Sequence, residues 1–152
     1  MPKAVLDSAI LVSAFLTKSG LSAELLQHAR AGVFDLYVAE EIFGEATRVL
    51  LEYGRIRRRY RYTDQDVVEF FQALRAAVHL VIELPRLSGV SRDPKDDMVL
   101  ACAIKASVDY LVTRDDDLLT LETYKKIIIV TPEQFMAILR NPSRRSVPTT
   151  EN

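Results

Sequence analysis

Five short apolar runs, rich in β-branched residues, punctuate the chain: KAVL (3–6), DLYVA (35–39), HLVIEL (79–84), DYLVT (109–113) and KIIIV (126–130). Each is too short for a globular helix. Their apolar residues run on almost without interruption, as in strands covered on both faces. The segments between them are longer and carry helical spacing. Strands that alternate with helices over short connections predict an α/β/α sandwich with a central, mostly parallel sheet of about five strands.

The helical segments show their ends. SAILVSAFLTKSG (8–20) and LSAELLQHARAG (21–32) each stop at a glycine, a common C-terminal signal. EEIFGEATRVLLEY (40–53) lines up Ile42, Phe43, Ala46, Val49 and Leu50 as one stripe, and GRIRRRYRY (54–62) breaks that pattern. Thr63 with Asp66 forms a capping box ahead of Val67, Phe70, Phe71 and Leu74. Asp93-Pro94 opens a helix over 92–107, a short helix is expected around 117–124, and Thr131-Pro132 opens the last, over 131–140. Residues 1–140 therefore form one domain, and the polar segment 141–152 is expected to be disordered.

Lys3 followed by AILVSAFL (9–16) has the outline of a secretion signal. Asp7 interrupts it and no convincing cleavage site follows, so these residues read as the first strand and helix. No apolar run reaches the roughly 20 residues of a membrane span. A net charge of −1 means that nucleic acid could be held only by local basic patches. The single cysteine, Cys102, lies in the apolar run MVLACAI and fits packing in a reducing, cytoplasmic setting.

Parallel sheets bind ligands outside the carboxyl ends of their strands. Asp7 ends the first strand and Asp115 follows the fourth. Asp93, Asp96 and Asp97 crowd the start of the helix that feeds the fourth strand, and Glu45 lies in the helix after the second. Oxygen-only ligands of this kind suit Mg²⁺ or Mn²⁺. Taken singly, Asp7, Asp93 and Asp115 are also good helix caps. Asp97 is harder to explain that way. It shares a face with Ala101 and Ile104 in a helix apolar nearly all round, where a lone carboxylate is costly. Periodicity does not separate Glu45 from Glu41 and Glu52. His28 and His79 stand apart from the acids and read as structural.

VLDSAILVSAF, EEIFGEATRVL, RDPKDDMVLACAIKASVDYLVTRDDDLL and IVTPEQFMAIL together resemble a PIN domain over about residues 3–140. The second-half block is the most specific. The chain is most similar to the bacterial and archaeal PIN proteins classed as VapC-like toxins of type II toxin–antitoxin pairs. The resemblance implies an endoribonuclease that hydrolyses RNA phosphodiesters with Mg²⁺ or Mn²⁺. It places the four acids at Asp7, Glu45, Asp97 and Asp115, and the strand-ending hydroxyl at Thr113. Asp93 and Asp117 fall where similar proteins carry further acids behind the ligands. An antitoxin protein and a second copy of the chain are the protein partners it implies. One position departs from the pattern. Ala9 stands where the family has an asparagine beside its first aspartate, which bears on catalytic rate and on the orientation of Asp7. A PIN-like module that binds RNA or protein without cutting is the alternative reading.

A substrate strand needs positive charge. Arg55, Arg57, Arg58, Arg59 and Arg61, interleaved with Tyr53, Tyr60 and Tyr62, could hold phosphates and stack bases. They could equally meet an acidic partner. Arg114 adjoins Asp115 and could contact phosphate or simply screen its acidic neighbours. Two other folds with acids at strand ends fit less well. A receiver-type signalling domain needs an acid pair after its first strand and a lysine after its last. A dehalogenase-type phosphatase needs Asp-x-Asp where this chain has Asp7-Ser8-Ala9.

Overall fold

All five apolar runs form strands in the computed structural model, which describes residues 1–87, 89–90 and 93–141. The expected disordered tail falls, beyond Asn141, outside the described residues. The strands are β1 (Lys3–Leu6), β2 (Asp35–Ala39), β3 (His79–Val81), β4 (Tyr110–Val112), β5 (Thr123–Tyr124) and β6 (Ile127–Val130). They join in one sheet of order β3-β2-β1-β4-β6-β5, parallel throughout except where β5 pairs antiparallel with β6. The sixth strand was not expected. Lys125 and Lys126 connect β5 to β6 with φ of 48° and 72°, as a tight two-residue hairpin requires. Such turns normally show Asn-Gly or Asp-Gly, so two lysines leave no signal to read.

The helices are α1 (Ser8–Leu16), α2 (Leu21–Arg30), α3 (Glu40–Glu52), α4 (Gly54–Arg59), α5 (Asp64–Arg75), α6 (Pro94–Ala106), α7 (Asp116–Leu119) and α8 (Pro132–Arg140). Local chemistry sets most of their ends. Thr63 and Asp66 form the reciprocal capping box of α5, and Thr131 with Gln134 does the same for α8. Asp93 caps α6, with Pro94 at its first position. Three features differ from expectation, the first being that the helix expected around 117–124 ends at Leu119 and Thr123–Tyr124 form β5 instead. α1 stops at Leu16, and Gly20 serves as the N-cap of α2 rather than closing α1. The arginine-rich stretch contains helix α4, which buries none of its residues. A helix without an apolar face has no stripe for periodicity to detect.

The core forms around α6, which packs across β1, β2, β3 and β4. Its Val99, Leu100, Cys102 and Ala103 are buried, as are Leu6, Ile10 and Leu11 from the signal-like start. Those N-terminal residues are thus part of the domain interior. Phe34, Tyr110 and Phe135 meet on another part of the core with ring centroids 5.0 and 5.5 Å apart. No single helix among the described residues is long and apolar enough to cross a membrane.

From β1 the chain builds outward to β2 and β3, then returns to the other side of β1 with β4. The strand order therefore reverses between β1 and β4, which opens a crevice at their carboxyl ends. Asp7 and Thr113 are the residues that follow these two strands.

Candidate active site

The parallel register pairs Leu6 with Val112, so the next residues, Asp7 and Thr113, emerge side by side. The Asp7 amide donates to the Val112 carbonyl at 3.2 Å and holds that alignment. Both side chains are buried, and the Thr113 hydroxyl donates to Asp7 Oδ2. Asp7 Oδ1 accepts from the Ile10 amide at 3.1 Å, capping α1. Each carboxylate oxygen thus has a partner without an asparagine at position 9. Helix cap and threonine fix the orientation of Asp7 despite Ala9.

Thr113 also accepts from the Asp115 amide at 3.0 Å, and Asp115 Oδ1 accepts from the Asp117 amide at 2.8 Å. One relay thus runs from Asp7 through Thr113 and Asp115 to Asp117. Burial pushes the Asp7 carboxyl above its usual range, and the nearby Asp115 charge adds to the rise. The hydrogen bonds from Thr113, Ile10 and Ala9 oppose it without cancelling it.

Asp96, Asp115 and Asp117 each offer a carboxylate oxygen, and these atoms lie within 4.8 Å of one another. Among the described residues, this is the acid group close enough to share one cation. Two sequence expectations read differently here. Asp117, expected behind the ligands, stands in the group itself. Asp96 stands in it where the sequence reading chose Asp97. Asp97 instead lines a cavity of about 520 Å³ with Glu41, Leu84, Arg86, Leu87 and Met98.

Both aspartates are 7% exposed, so burial alone does not separate them. The helix wheel does. Asp96 aligns with Leu100 and Ala103, both fully buried, whereas the Asp97 line leads to Ala101, also buried, and then to the half-buried Ile104. Asp93 caps the helix, its side chain accepting from the Lys95 amide at 3.0 Å.

Glu45 is engaged elsewhere. Arg48 donates to both its oxygens at 3.2 and 3.0 Å, and Lys95 Nζ lies 3.1 Å away. Burial would raise its pKa, but Arg48 and Lys95 outweigh that and hold it below the ordinary carboxylate range. Among the described residues it is not one of the three acids that share oxygen distances. Asp116 is exposed on the outer side of α7.

The arginines also divide. Arg57 is built into the fold: it donates to the carbonyls of Leu50, Leu51 and Tyr62, pairs with Asp64 at 2.7 Å, and covers the Tyr62 ring. Arg114 pairs with Glu133 at 2.9 Å. Arg55, Arg58, Arg59 and Arg61 are exposed, with no ion pair among the described residues. His28 Nδ1 donates to the Glu24 carbonyl at 2.9 Å, one turn back in its own helix, and His79 stacks on Tyr37, so both serve local packing.

An oxygen-only set of three carboxylates fits a hard divalent cation. The strain of Asp7 and Asp115 facing each other is the kind of repulsion that such an ion relieves. The model of one family, the PIN domain, matches residues 3–117, well over half of the chain. A search of curated proteins gives no match. Members of the matched family are generally nucleases and usually use divalent metals. Carboxylates gathered at the switch point of a mostly parallel sheet, within the span that the family model covers, agree on one conclusion: this chain belongs to the PIN domain family.

Proposed function

We propose that the protein is a metal-dependent endoribonuclease and the toxin half of a toxin–antitoxin pair. The observation that carries the nuclease reading is the acid group at the carboxyl ends of β1 and β4. Asp96, Asp115 and Asp117 would hold Mg²⁺ or Mn²⁺, with Asp7 beside Asp115. When bound, such an ion lowers the pKa of a water and neutralises charge that develops on phosphate. Thr113 orients Asp7 and the Asp115 backbone at once. Asp93 fixes the start of α6 and so the position of Asp96. The VapC-like character of the second-half block supports the toxin role, with an antitoxin and a second copy of the chain as protein partners. Cys102, buried with its thiol pushed up to about 12, is inert and suits the cytoplasm.

Asp115→Asn tests the nuclease reading. The wild type should cleave single-stranded RNA with Mn²⁺ and stop in EDTA. The variant, folded by circular dichroism, should lose at least about 10²-fold in rate, because even the groups that orient metal ligands cost 10–100-fold when removed. Equal rates in the two proteins would refute it. Ala9 in place of the family asparagine favours a second reading, a binding module that does not cut. RNA that binds the wild type but stays intact at saturating Mn²⁺ would select that one.

A further inference from the structure

We propose that Arg48 and Lys95 form a phosphate-binding subsite for the RNA strand at the lip of the acid group, with Tyr53 as an adjoining surface for a base. The subsite rests on the ribonuclease reading above and extends it to how substrate is held.

Acids at a cleavage site repel the strand they must cut. Something nearby has to draw phosphate in. Lys95 immediately precedes Asp96 at the start of α6. Its Nζ lies 3.1 Å from Glu45 Oε2, and Arg48 Nη2 lies 3.0 Å from the same oxygen. Two cations thus share one carboxylate, and the Asp93 charge also lies near Lys95. Arg48 also approaches Glu52 at 3.8 Å, but Glu52 is exposed at 65%, where such a pair contributes little.

Exposure favours binding. The Glu45 side chain is only 13% exposed, while Arg48 and Lys95 keep 40% and 49% of their surface in solvent. Arginine has five N–H donors and lysine three, and Glu45 occupies only part of them. The half-buried carboxylate holds two flexible cations in place before substrate arrives, so less side-chain freedom is lost on binding. Glu45 is then a positioning residue for these cations.

The contacts continue outward. Arg48 Cζ lies 5.5 Å from the centre of the Tyr53 ring, and Tyr53 is 43% exposed. An exposed ring beside a cation is the usual platform for single-stranded bases. Tyr53 leads directly into α4, where Arg55, Arg58 and Arg59 are exposed. A continuous series of neighbours therefore runs from the basic helix through Tyr53, Arg48 and Lys95 to Asp96.

The test is binding of a fluorescein-labelled single-stranded RNA oligonucleotide in EDTA, followed by anisotropy from low to moderate NaCl. Each phosphate contact on a single strand adds about 0.7 to the slope of log K against log salt. Lys95→Gln and Arg48→Gln should each lower the slope by about 0.7 and weaken binding several-fold. Arg140→Gln, whose partner is Glu24, should leave both unchanged. Tyr53→Ala should weaken binding with the slope retained. Wild-type slopes in both cation variants, or no binding by the wild type at low salt, would overturn the subsite. The readout needs no cleavage. If the wild type fails to cut RNA while the slopes fall as stated, the nuclease reading fails and the subsite stands. If it cuts and the slopes do not move, the subsite fails alone.

Discussion

Asp96→Asn should abolish metal-dependent RNA cleavage, and Asp97→Asn, one residue along the same helix, should leave it within a few-fold of wild type. The two positions are matched controls for each other. Both carboxylates are 7% exposed, both lie in the first turn of α6, and each substitution removes one negative charge there. Losses of folding stability, or of favourable charge at the helix N-terminus, should therefore be similar. What differs is the neighbourhood. Asp96 lies within 4.8 Å of the carboxylate oxygens of Asp115 and Asp117, whereas Asp97 faces the cavity with Glu41, Leu84 and Leu87. The expected loss for Asp96→Asn is at least about 10²-fold, above what groups behind a metal ligand usually cost. Cleavage rates measured on both variants at saturating Mn²⁺ check this.

Mn²⁺ should raise the melting temperature of the wild type by about 5–10 °C and that of Asp115→Asn hardly at all. Without an ion, the rim is crowded with like charge. Burial raises the Asp7 pKa first, and the Asp115 charge adds to it. A carboxyl whose folded pKa exceeds its unfolded value binds its proton more tightly in the native state. Asp7 therefore costs the metal-free fold stability as pH rises above its ordinary value of 3.8 and on through its raised folded pKa. A bound divalent cation favours the ionised form and should reverse that trend. An ion at 100 times its dissociation constant stabilises the fold by about 2.7 kcal/mol. In a chain of this size each kcal/mol moves the midpoint by about 2–4 °C. Differential scanning fluorimetry at pH 7, with and without Mn²⁺, measures the shift. The same scan in Asp115→Asn shows whether it comes from this site.

Much of this could be read from the chain because its local signals agree with its long-range ones. Short apolar runs became parallel strands, and Thr63, Asp93 and Thr131 became caps, since capping chemistry needs only neighbours in sequence. Asp7 and Asp115 stood out because strand ends and ligand sites coincide in parallel sheets, and Thr113 through the resemblance to the family. Other features depend on distant partners. β5 exists only through pairing with β6. α4 has no buried side to mark it. Arg57 reads as one more cation in a basic run, yet three carbonyls and Asp64 hold it in the fold. Three aspartates compete for one helix end, and nothing in the sequence signals that Asp96 rather than Asp97 comes within reach of Asp115 and Asp117 once α6 packs on the sheet. The partners of Glu45 were invisible for the same reason. Arg48 is three residues away, but Lys95 comes from another helix.

A crystal structure of the protein soaked in Mn²⁺, with anomalous data, addresses the central claim directly. The account predicts an anomalous peak at the carboxyl ends of β1 and β4, about 2.0–2.3 Å from oxygens of Asp96, Asp115 and Asp117, distances typical of a small divalent ion on oxygen ligands. A peak in the cavity beside Asp97 and Glu41, or no peak near Asp115 at saturating Mn²⁺, would contradict it.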